Sequence, residues 1–178
     1  MENKIKLIRL LPLLGIIFIE IILFVTNFRS GTYLMGWDNI MPELNLGLNF
    51  ERAIFSVWQT YRGLGLLDGL AHSANLVHTI YISLLSIVLP ESVLRYVFIH
   101  LTHLAGGLGF FYLAKSLTGN KRASIAGAVF YMLNLGIAQM YIAPLEVFAV
   151  HFAALPILSF FSIQALKTPS YKNHKGET

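Results

Sequence analysis

Cysteine is absent from the chain, which excludes disulfides, thiolate metal sites and a cysteine nucleophile. Charge is scarce too: Asp, Glu, Lys and Arg make up 12% of the residues, about half the share usual in soluble domains. No G-x-S-x-G, Walker loop, H-E-x-x-H or dinucleotide fingerprint occurs, so the signatures of common soluble enzymes are missing. What is abundant is apolar: 56% hydrophobic residues, 13% aromatics and a mean hydropathy of +0.65 describe an integral membrane protein. The net charge of +4 does not imply nucleic acid as a partner, because the basic residues sit in small groups beside hydrophobic runs and form no stripe with interleaved aromatics.

Lys4, Lys6 and Arg9 precede an apolar run from Leu10 to Val25. Its length, the lack of a small-x-small cleavage site and the interfacial pair Tyr33 and Trp37 read as a retained first span near 5–27 with a cytoplasmic start. Its 23 residues suffice for a hydrocarbon core of about 30 Å. Further spans are expected near 93–114, 123–142 and 145–166. The run 76–89, stopped by Pro90 and Glu91, is short for a crossing and reads as a shallow helix. With that assignment Lys115, Lys121 and Arg122, and then Lys167, Lys172 and Lys175, join the first three basic residues on the cytoplasmic side. The expected fold is all-α integral membrane, about four transmembrane helices plus in-plane helices in the first outer loop, in a cytoplasmic membrane with both ends cytoplasmic. Residues 1–166 form the membrane domain, and 167–178 a flexible cytoplasmic tail.

The outer loop, 28–92, holds most of the polar chemistry. Between Tyr33 and Asn75 lie Asp38, Glu43, Glu51 and Asp68, four of the nine carboxylates. Phe50, Ala53, Ile54, Val57, Trp58 and Tyr61 recur at helical spacing opposite Glu51, Arg52, Gln59 and Arg62, which predicts an amphipathic helix over 50–62 in the membrane plane.

Polar residues also fall within the apolar spans. Glu20 is in the middle of the first, where an exposed carboxylate would cost about 2.5–3.5 kcal/mol, so it is expected to face other helices, protonated or paired. A helix-packing hydrogen bond is preferred there to a place on a substrate or proton path. Tyr96, His100, His103 and Gly107 share one helical face, and Gly127, Tyr131, Asn134 and Ala138 another; these faces are expected to meet. His100 and His103 read as packing histidines in preference to metal ligands, since no carboxylate lies near them in sequence. Gly106, Gly107 and Gly109 read as a site of close helix approach.

The order of features resembles the start of the C-superfamily (GT-C-like) membrane glycosyltransferases: a first helix with a cytoplasmic start, then Gly36, Trp37 and Asp38 in the first outer loop, then in-plane helices and further spans. The stretch from Trp58 to Leu89 is similar to the outer loop of the large multi-span proteins that glycosylate teichoic acids, and to arabinofuranosyltransferase-like proteins. Members of that family continue through many more spans, so this chain resembles their N-terminal part, with further membrane helices of a longer chain or a partner subunit expected beside it.

The resemblance implies transfer of a sugar from a polyprenyl-phosphate donor to a cell-envelope acceptor on the outer face of the membrane. Asp38 matches the family's loop aspartate and would act as general base. From the residues alone, a solvated loop carboxylate or helix cap is an equal reading of it. Arg52, Arg62 and Arg95, with His72 and His78, are the cations on that side for the leaving phosphate, and His151 is a candidate for headgroup contact. Glu43 with Asp38 would supply oxygen ligands suited to Mg²⁺ or Mn²⁺. The competing class is a non-catalytic membrane subunit, or a flippase-like component, that handles a lipid-linked sugar without breaking its bond.

Overall fold

The computed structural model describes residues 2–36, 41–55, 58–60, 63–67, 74–142 and 146–167. Among them the secondary structure is helical apart from one two-stranded ribbon. The chain forms two compact units, Met1–Phe28 with Ile99–Thr178, and Arg29–Phe98.

The first unit contains α1 (Glu2–Asn27) and most of α4 (Glu91–Thr118). α5 (Lys121–Leu133), α6 (Leu135–Ile142) and α7 (Glu146–Lys167) complete it. Among the described residues, three helical segments are long and apolar enough to cross a membrane: Leu10–Asn27, Glu91–Thr118 and Phe148–Lys167. The turn between α4 and α5 is written in two residues. Gly119 adopts φ +65°, a left-handed conformation that ends α4, and the Asn120 side chain accepts hydrogen bonds from the Arg122 and Ala123 amides (2.9 and 3.2 Å) as the cap of α5.

The expected span 123–142 is not one helix. Asn134 interrupts it in an extended conformation (φ −73°, ψ 158°), its amide donating to the Tyr131 carbonyl (2.7 Å) while its Oδ1 accepts from the Ile137 amide (3.2 Å). An asparagine side chain offers the backbone partners that compete with the helical ladder, and here it closes α5 and caps α6. The 13 and 8 residues of these two helices are each too short to cross a core of about 30 Å alone.

Ile16, Phe111, Ala128 and Met132 form the core of this unit. The α4 glycines let neighbours approach: a β-carbon at Gly109 would stand 2.6 Å from Ile157, one at Gly106 would overlap the Phe152 ring, and one at Gly107 the Met132 thioether. Phe152 is held between Tyr131 and His103, with ring centroids 4.3 and 5.4 Å away, so it has little room to yield. Gly106→Ala is therefore expected to destabilise the unit by about 1–3 kcal/mol. Gly107→Ala should cost less, because an unbranched methionine end can swing aside. Equal unfolding midpoints for the two variants in detergent would contradict this ranking.

In the second unit, a single 3₁₀ turn (Pro42–Leu44) leads into α2 (Leu46–Phe55), capped by Asn45 Oδ1 accepting from the Leu48 amide (3.0 Å). β1 (Trp58–Gln59) pairs antiparallel with β2 (Leu66–Leu67), and α3 (Leu76–Ser86) packs against α2 and the 3₁₀ turn. The predicted amphipathic helix over 50–62 is thus corrected: helix ends at Phe55, and Trp58–Gln59 belong to the ribbon. Gly63 (φ +56°) and Gly65 (φ +97°) permit the reversal, and a β-carbon at Gly65 would collide with the Trp58 indole at 2.7 Å. The helical spacing of Phe50 to Tyr61 is overridden by a turn that only glycine accommodates without strain. Within the run 76–89, the helix is α3, 11 residues long and ending at Ser86.

Candidate functional site

The chemistry of the second unit centres on Glu43 and Arg95. Proline at the first position of the 3₁₀ turn fixes the backbone there, and Glu43, the next residue, turns inward. Arg95, four residues into α4, meets it with Nε donating to Oε1 (2.9 Å) and Nη2 to Oε2 (3.2 Å). Both side chains are buried, and the bidentate fork is the strong form of this pair. Next to Arg95, the Tyr96 hydroxyl shares a 2.9 Å hydrogen bond with Thr32, which ties the start of the unit to the same helix.

His78 on α3 lies with its ring centroid 4.7 Å from that of Phe98. Burial, and then the positive charge of Arg95, push its pKa from 6.5 down to about 4, with Glu43 opposing in part. His78 is therefore neutral at neutral pH. The sign of the pH dependence follows from this depression. Unfolded, the imidazole takes a proton near pH 6.5 and the folded form does not until about pH 4. Its contribution to stability is full above 6.5 and is lost as the pH falls through that window. His78→Gln should flatten the acid limb of the stability profile between pH 6.5 and 4; an unchanged limb would show that burial of this ring is not what sets it.

The residues singled out from the sequence are placed as follows. Glu43 and Arg95 are brought together. His78 feels the charge of both. Arg52 is half-buried on α2, and His151 is exposed on α7, in the other unit. Asp38, Arg62 and His72 lie outside the described residues. Both oxygens of Glu43 accept from Arg95. Among the described residues, no group of three His, Cys, Asp or Glu is placed to hold a metal ion.

The Glu43–Arg95 pair clamps the 3₁₀ turn to the start of α4.

A second polar cluster lies inside the first unit. Glu20 of α1 bridges two histidines of α4, with Oε1 2.6 Å from His100 Nδ1 and Oε2 2.5 Å from His103 Nδ1. His103 Nε2 is 3.0 Å from the Met132 carbonyl oxygen. All three side chains are buried, as expected of a mid-span carboxylate that must be paired. Sequence reasoning named each residue but did not join them. The available signal was an acid in one apolar helix and two histidines at i, i+3 in another, the spacing that places both imidazoles on one face.

Comparison of the chain with known protein families, with characterised proteins and with solved structures yields no match.

Proposed function

We propose that this protein is a membrane-embedded component of glycosyl transfer from a polyprenyl-phosphate-linked sugar, working at the outer face of a cytoplasmic membrane. Support for the membrane comes from a reversed distribution of polarity: on α1, Leu11, Phe18 and Val25 are 58–67% exposed while Glu20 is 5% exposed. Water would favour the opposite arrangement; lipid favours this one. In this reading α5 and α6 together make the third of four crossings as a broken helix, a form tolerated where freed backbone groups find partners in the protein, and both ends are cytoplasmic.

The observation that carries the proposal is the Glu43–Arg95 clamp, an ordered anchor four to five residues beyond the aspartate at which the resemblance places the base. Asp38 takes the proton of the acceptor hydroxyl as its oxygen attacks the anomeric carbon; the sugar–phosphate bond breaks and polyprenyl phosphate leaves. Arg52 and Arg62 are the cations for that phosphate. Arg95 is already engaged with Glu43, and neutral His78 can serve only as a hydrogen-bonding group.

The engagement of Glu43 and Arg95 with each other also favours the second reading, a subunit that handles the lipid-linked sugar without cleaving it, because two charged groups are withdrawn from any reaction centre. Proteoliposomes containing the protein and a radiolabelled polyprenyl-phosphate sugar separate the two. Label appearing on an acceptor supports transfer. Intact donor redistributed between leaflets supports the subunit. Donor neither consumed nor moved overturns both.

A further inference from the structure

The Glu20–His100–His103 cluster has no part in the transfer reading, and its hydrogen-bond geometry fixes how many protons it contains. His103 Nε2 faces the Met132 carbonyl oxygen, which can only accept, so Nε2 carries a hydrogen. That carbonyl is available because α5 stops at Leu133: the break at Asn134 leaves the last carbonyls of the helix without their usual i+4 donors. With Nε2 protonated, a neutral His103 would present a bare lone pair on Nδ1 to a bare carboxylate oxygen 2.5 Å away. Two acceptors do not approach so closely without a proton between them. On the other oxygen no extra proton is required, since a neutral His100 can donate its own Nδ1 hydrogen.

We propose that this cluster is a buried proton-binding site. It holds one proton beyond the complement of an ionised glutamate and two neutral histidines, and that proton lies between Glu20 Oε2 and His103 Nδ1. Whether it is drawn as imidazolium with carboxylate or as imidazole with carboxylic acid, the count is the same and the triad is neutral overall. Neutrality suits its surroundings, since a net charge in an apolar interior is costly. The elements packed on the site supply Glu20 and Phe24 from α1, both histidines from α4, the Met132 carbonyl and the Tyr131 phenol from α5, and Phe152 from α7. The Tyr131 hydroxyl donates to the Phe152 carbonyl oxygen (2.8 Å). Phe24 meets His100 edge-on at 5.1 Å, and Phe152 stacks on His103. Releasing the proton to water would leave an anionic triad with two opposed lone pairs, so release is tied to separation of α1 from α4 or to rotation of the His103 ring away from Met132.

The test is magic-angle-spinning NMR of the protein in lipid bilayers with ¹⁵N-labelled histidine at pH 8, combined with infrared spectroscopy of the carboxylic-acid carbonyl band. The exposed His151 serves as internal reference. The expected result is either a histidine with both ring nitrogens protonated, lost in His103→Gln, or a carboxylic-acid band lost in Glu20→Gln. Should either variant fail to fold, the wild-type spectra still decide: every histidine carrying a single ring proton, together with no carboxylic-acid band, overturns the proposal.

Discussion

Arg95→Met lowers the stability of the Arg29–Phe98 unit by about 3–5 kcal/mol, the usual cost of removing one partner from a buried ion pair. Methionine replaces most of the arginine's volume, so the loss is chiefly electrostatic: the Glu43 carboxylate stays buried, its two oxygens stripped of their donors. The companion variant makes the case specific. Adding Glu43→Gln removes the stranded charge, and the double variant should recover much of the loss, because neither charged group then needs to be desolvated. Denaturant unfolding in detergent, read together with protease susceptibility of residues 29–98, measures wild type, each single variant and the double variant. A double variant as unstable as the sum of its singles would mean that the two side chains are not energetically coupled, and the clamp on the turn after Asp38 would fall with it.

The second large effect is on turnover. In the proteoliposome assay Asp38→Asn should lower sugar transfer by about 10²- to 10⁴-fold, the range associated with loss of a general base. Asparagine keeps the size and one acceptor oxygen of the aspartate, so donor binding should survive while proton removal does not. Glu51→Gln is the matched control, an exposed α2 carboxylate changed in the same way, and should leave transfer unaltered. Turnover equal to wild type in Asp38→Asn would remove this residue from the mechanism even if transfer itself is observed.

Several elements could be read directly from residue order because their causes are local. The apolar runs that became α1, α4 and α7 are long enough to dominate any alternative, and Pro90 with Glu91 marks the boundary between α3 and α4. Close packing at Gly106, Gly107 and Gly109 was also legible, since small residues on one helical face have few other uses in an apolar helix. The helix that spacing predicts over 50–62 ends early for an equally local reason: Gly63 and Gly65 set a chain reversal that hydrophobic spacing does not register. Spacing places Asn134 on a packing face, whereas its side chain, bonded on both sides of itself, divides the helix.

Composition and periodicity alone determined that the chain is built of apolar helices and that Glu20 needs partners, because the cost of an isolated carboxylate among apolar side chains does not depend on the fold. Only the tertiary structure decided which partners: His100 and His103 lie 80 and 83 residues away from Glu20, and Arg95 lies 52 residues from Glu43. Helical spacing fixes which side chains share a face but not which face meets which across such intervals. The choice of Arg95 for Glu43, and of two imidazoles for one carboxylate, was made by packing.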